Sequence, residues 1–191
     1  MFMFKNERTK SLIVESLLIV FSVMLGLFVN DIRTSINKKE TASLAWKNIQ
    51  NEISFDEEEL NNSLARQKKL RQVLIALVTS KDKSVFKGKT FYRVIHSAGG
   101  INFPTLSTAA WETAKNRGII EDFDYSKLLI LTNIEQEVKA VENVHNKIID
   151  LIYNKDDFKV KYTKDLSYTL LMALTDLMET EKQLLNNYKK V

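Results

Sequence analysis

Few residues in this chain have types and spacings that could do chemistry. Two histidines are present, His96 and His145, and there is no cysteine. That excludes disulfides and thiolate metal sites, and no His-x-x-x-His or Glu-x-x-His pair supplies a metal-ligand spacing. Arg93-x-x-His96 is too closely spaced for an arginine–histidine nuclease motif, and no other arginine stands at a better distance. Gly99-Gly100 could approach a phosphate, but it lacks the Lys-Ser/Thr of a P-loop and the third glycine of a dinucleotide fingerprint. It reads as loop geometry. The run Asp56-Glu57-Glu58-Glu59 reads as the solvated face of a helix. Catalytic residues, cofactor ligands and metal ligands are therefore expected to be none.

One titratable residue has an unusual setting. Glu15 is the single charge in residues 12–29, LIVESLLIVFSVMLGLFV. Eighteen residues at about 1.5 Å each rise roughly 27 Å, enough to cross most of a bilayer's hydrocarbon core. The run exceeds a signal peptide's apolar region of about 7–15 residues, and no small-x-small cleavage site follows it. A retained transmembrane anchor is expected. Glu15 stands one turn into it, where interfacial water can reach the carboxylate. Ser11, Glu15, Ser22 and Gly26 are spaced by four, seven and four, hence share one helical face. Ser22-x-x-x-Gly26 is a small-xxx-small pair of the kind that lets two membrane helices approach closely. Self-association through this face is the expected function of these four residues.

The elements that position these residues follow from periodicity. Five glycines and one proline in 191 residues favour long helices. Apolar residues recur at Ile49, Ile53, Leu60, Leu64, Leu74 and Leu77, a helical face with no Gly or Pro between Gly26 and Gly88. The anchor should run into a stalk helix ending near Thr79, unless it breaks within residues 30–41. The stalk positions Ile49, Ile53, Leu60 and Leu64 could form a seam between copies or pack within one chain. A polar turn should occupy 80–88, a short helix 90–98 with Phe91, Val94 and Ile95 inward, and a loop the Gly99–Pro104 region.

Ser107 or Thr108 can cap a helix over 109–117, with Gly118 as its left-handed terminator. Asp124 can cap the next, about 125–153, striped by Leu128, Leu131, Ile134, Val138, Val141, His145 and Ile148. His145 is then a satisfied core histidine. Asn154-Lys-Asp-Asp157 should break the helix before a last one over 164–188. Trp46, Trp111, Phe103, Phe123 and Tyr125 read as core or docking aromatics, and Trp111 as the residue that plugs the bundle. The fold class is all-α: residues 1–30 form a tail and transmembrane anchor, residues 31–191 a helical stalk and bundle domain.

The net charge of +4 is spread along the chain without a dense basic block, so no nucleic-acid partner is expected. The expected partners are the lipid bilayer and further copies of the chain, with any other protein partner unnamed. Lys5, Arg8 and Lys10 precede the span, and Arg33, Lys38 and Lys39 follow it. The first three are packed into a short tail, which tilts the expectation toward the N-terminus inside a cell (inner) membrane.

The segment ESLLIVFSVMLGLFVNDIR at 15–33, with the polar helix containing 44–52, resembles a group of small bacterial single-pass membrane proteins. Their anchors read E-x-L-L-I-V-x-x-G-V-L-I-A-L, then Asp or Asn and often Trp-Arg. Residues 103–135 are similar to their middle section, with Trp111 and Gly118 matching. Ser22 stands near the usual anchor glycine, and Ile32 replaces the frequent Trp. The resemblance implies an anchor plus a helical domain, with no activity attached. The expected function is a membrane-anchored, self-associating scaffold, sensor or regulatory partner without enzymatic activity. The alternative is an oligomeric pore-forming or membrane-perturbing effector, as in anti-phage defence.

Overall fold

A computed structural model describes residues 4–81, 91–153 and 163–191, with side chains from Ser11 onward. Its dominant element is α1, a single helix over Phe4–Thr79, 76 residues and about 115 Å long. It passes through 30–41 without a break and ends where the periodicity ends. Along it the surroundings change sharply. Every residue of 11–41 is exposed, Ala42 is the first buried one, and Ile49, Leu60, Leu70 and Leu74 are fully enclosed. One helix thus has an exposed part and a buried part, with the change about ten and a half turns from its start.

The remaining elements are α2 (Phe91–Ser97), α3 (Ala109–Asn116), a 3-10 turn (Ile119–Asp122), α4 (Tyr125–Tyr153) and α5 (Thr163–Tyr188). No strand occurs among the described residues. The protein is an all-helical bundle. Gln67 meets Glu181, Arg71 meets Thr175 and Gln50 meets Val191, so α5 runs antiparallel to α1. Asn187 meets Glu137 and Glu181 meets His145, so α5 is also antiparallel to α4. The segment from Asn102 to Phe123 fills the remaining side. It descends along α1 from Ser63 to Trp46, touching α4 at His145 and Glu135. The result is an up-down-up-down arrangement whose second arm is a loop plus one short helix.

The stripe expected for α4 is the buried one: Leu131, Ile134, Val138, Val141, His145 and Ile148. Leu166, Leu170, Leu174, Leu177 and Leu184 do the same for α5. Phe91, Val94 and Ile95 are the inward residues of α2. Gly118 has φ 69° between α3 and the 3-10 turn, the left-handed conformation that a Cβ disfavours. The turn expected over 80–88 and the break at Asn154-Lys-Asp-Asp157 fall, for 82–88 and 154–157, outside the described residues.

One expectation needs correction, and two open readings narrow. Of the two readings of Ile49, Ile53, Leu60 and Leu64, packing within one chain is the observed one. Asp56 is not part of a solvated face: it is 1% exposed. Tyr125, at 79% exposure, is not a core aromatic, which leaves it only the docking reading.

Candidate functional site

The face expected to mediate association lies wholly outside the bundle. Ser11 Oγ donates to Glu15 Oε1 at 3.4 Å, a turn-to-turn contact on the helix surface. Ser22 Oγ donates to the Leu18 carbonyl at 2.8 Å, which satisfies the hydroxyl within its own helix. A Cβ at Gly26 would meet nothing within 4 Å. Nothing in a single chain therefore calls for glycine there, and glycine inside a helix costs about 1 kcal/mol relative to alanine.

The direction of this face matters. Ile49 follows Ser22 by about seven and a half helical turns, so the core side of α1 is opposite the Ser22–Gly26 side. Ile36 and Leu44 follow Ser22 by about 3.9 and 6.1 turns, which returns them to that same side. They are 51% and 60% exposed. Structure thus joins residues that the sequence left apart: the four anchor positions and Ile36 share one side of α1, while Leu44, though exposed, borders a cleft lined by Ala109, Thr113 and Arg117 at α3. Along residues 11–36 another helix can lie on this side without meeting the core of the bundle.

Comparison of the chain with protein families, curated proteins and solved structures finds no match.

Three polar clusters tie the elements together, two of them through α1. In the first, Asp56 accepts from Ser107 N at 3.0 Å and from the Tyr188 hydroxyl at 3.0 Å. One turn earlier, Glu52 Oε2 accepts from Ser107 Oγ at 2.8 Å and Ala110 N at 3.0 Å. The N-terminus of α3 is thus capped mainly from another helix. Thr108 makes no side-chain cap bond, while Ser107 Oγ accepts from Ala109 N at 3.3 Å. Burial pushes the Asp56 carboxyl up to about 6, against its hydrogen bonds from Ser107 and Tyr188. Burial and the Asp56 charge push the Tyr188 phenol up as well.

In the second cluster, Trp111 is 5% exposed and its Nε1 donates to Glu135 Oε2 at 2.7 Å. Lys115 and Lys139 each approach Glu135 at 2.7 Å. The Lys115 hydrogen bond, with those from Lys139 and Trp111, holds the Glu135 carboxyl down to about 2. Trp111 therefore packs in the core with its one polar atom paired. Trp46 is half-buried, edge-on to Phe123, with Lys127 Nζ 4.4 Å from its ring centre.

The third cluster is inside the bundle. Gln67 Nε2 donates to Ser63 Oγ at 2.8 Å and to Glu181 Oε1 at 2.9 Å, and Ser63 Oγ donates to the Asn102 carbonyl at 2.9 Å. Ser63, Gln67 and Glu181 are at most 1% exposed. His145 Nε2 stands 3.6 Å from Glu181 Oε1 and stacks against Phe103, with ring centres 4.5 Å apart. His145 is a core histidine, but its Nε2 has no hydrogen-bond partner among the described residues. These contacts fix the relative register of α1, α4, α5 and the 102–103 loop. They are closed to bulk solvent, and their chemistry is that of a structural network.

No group of three His, Cys, Asp or Glu residues able to hold a metal ion occurs among the described residues. The clusters above were legible in part. Asp56 continues the spacing Ile49, Ile53, Asp56, Leu60, and Ser63 and Gln67 continue it to Leu70 and Leu74. Placing polar residues on a core stripe was the available signal.

Proposed function

We propose that this protein is a single-pass membrane protein whose anchor face binds further copies of the chain, so that the bundle serves as a scaffold, sensor or regulatory partner. One observation carries the reading. The apolar part of α1 is long and apolar enough to cross a membrane, none of it is buried against the bundle, and the same unbroken helix forms the bundle's core. Water does not tolerate so large an exposed apolar surface, and a core helix would be covered. The cell (inner) membrane, with the N-terminus inside, is the compartment favoured by the clustered Lys5, Arg8 and Lys10.

Support for association comes from the shared side of α1. Lipid tails are as apolar as leucine, so membrane helices associate through close packing and hydrogen bonds. Gly26 supplies the close approach, Ser22 a second small residue, and Ile36 extends the contact above the bilayer. Because all copies enter one membrane in the same sense, the pairing is parallel, and like positions meet.

The test is the native mass of the protein in detergent or nanodiscs, with Gly26→Ile beside the wild type. An oligomeric wild type and a predominantly monomeric variant are expected. A monomeric wild type overturns self-association and leaves a tethered domain. A closed ring that leaks ions from liposomes favours the pore-forming alternative.

A further inference from the structure

Where the bundle comes nearest to the proposed anchor, a cleft of about 530 Å³ opens between α1 and the turn after α3. Its lining includes Thr34, Asn37 and Lys38 of α1 and Arg117, Glu121 and Asp122 of the segment around that turn. Its height follows from helix geometry and rests on the anchored reading. Residues 12–29 rise about 27 Å, so a hydrocarbon core of about 30 Å reaches roughly to Asp31. Thr34 and Asn37 then stand about 4–9 Å further out, in the layer of phosphates and headgroups. Helical side chains tilt toward the N-terminus, which here directs Lys38 down into that layer.

The charges of the cleft are balanced, and none of the ion pairs among the described residues includes Lys38, Arg117, Glu121 or Asp122. Two cations and two carboxylates therefore line one cleft at separations too long for direct pairing. A simple anion would meet the carboxylates, and a simple cation the lysine and arginine. A ligand carrying both signs a few bonds apart meets neither conflict. Thr41 already donates its hydroxyl to the Asn37 carbonyl, which leaves the Thr34 hydroxyl and the Asn37 amide as neutral donors.

We propose that this cleft holds the headgroup of an amine-bearing phospholipid, its phosphate on Lys38 and Arg117 and its ammonium on Glu121 and Asp122. The arginine suits a phosphate through paired N–H donors, and the carboxylates need a nitrogen that can donate hydrogen bonds. Phosphatidylethanolamine satisfies both requirements. Phosphatidylcholine keeps the phosphate but has no N–H donor, and phosphatidylglycerol has no cation.

The experiment uses the full chain in detergent, titrated with each of these three lipids and with soluble O-phosphoethanolamine, and read by native mass spectrometry. One phosphatidylethanolamine per chain is expected, retained in preference to the other two lipids. Loss of a charge-assisted contact in Arg117→Ala or Glu121→Gln should weaken that retention by roughly tenfold. All four charged side chains are on the surface, so the helical circular dichroism signal should be unchanged. Equal retention of the three lipids, or undiminished retention by both variants, overturns the proposal. Uptake of O-phosphoethanolamine as tight as that of the lipid also overturns it, because the site would then serve a soluble ligand. Flotation of the same preparations with liposomes separates the two readings. A protein that floats but shows no lipid preference loses this site alone, and one that does not float loses the anchor and this site together.

Discussion

Asp56 shows how a single residue joins the helix that carries the proposed anchor to the rest of the bundle. It holds the backbone at Ser107 and the phenol of Tyr188 while almost out of contact with water. Its carboxyl is raised from 3.8 to about 6, so the folded state binds this proton more tightly than the unfolded chain does. The resulting stabilisation is fully present below about pH 4 and is lost as the pH rises through about 6. Two units correspond to at most about 3 kcal/mol. Asp56→Asn should flatten the dependence of the unfolding midpoint on pH between 4 and 6, and an unchanged slope would assign it to another group. Glu135 acts in the opposite sense. Its depressed carboxyl contributes stability above about pH 4.5 that is lost as the pH falls toward 2. At the neighbouring position, Trp111→Ala should cost about 3–5 kcal/mol in denaturant unfolding, since it empties a core site and removes one of the hydrogen bonds to Glu135. An unaltered midpoint would place Trp111 outside the core. The sequence named Trp111 from its place beside the Pro104 loop. It did not reveal Asp56, because a carboxylate beside three glutamates looks like surface unless its place on the Ile49–Leu60 stripe is weighed more heavily than its charge.

The elements were more legible than their partners. A 3.6-residue period is imposed on each chain segment by its own burial, so the stripes of α4 and α5 and the end of α1 near Thr79 could be read locally. What each stripe faces depends on contacts distant in sequence, and Ile49, Ile53, Leu60 and Leu64 were for that reason equally suited to a second copy or to α5. The capping of α3 shows the same limit: Ser107 and Thr108 are the local candidates, but Glu52 arrives from 58 residues away to meet Ala110. Gly118 was legible because its requirement is local. Gly118→Ala puts a Cβ into open space, so only the left-handed backbone opposes it. A loss of about 1–2 kcal/mol in unfolding free energy is expected. A neutral effect would mean that the turn can relax to negative φ.

At the scale of the molecule, α1 is both the proposed anchor and one arm of the bundle, and this continuity gives the protein its architecture. A helix without a break between the proposed anchor and the core would hold the bundle at a fixed height and rotation relative to that anchor. The Ser22–Gly26 side and Ile36 are thereby kept facing away from the core of the bundle. The apolar demand of residues 42–191 is met by packing among these helices, so removal of residues 1–29 should leave a soluble, largely helical protein. The measurement that bears most directly on the account is fractionation of the full chain and of this deletion in high salt and alkaline carbonate. The full chain is predicted to remain with the membranes and the deletion to be released. A full chain released by carbonate, or a deletion that stays with the membranes, would contradict it.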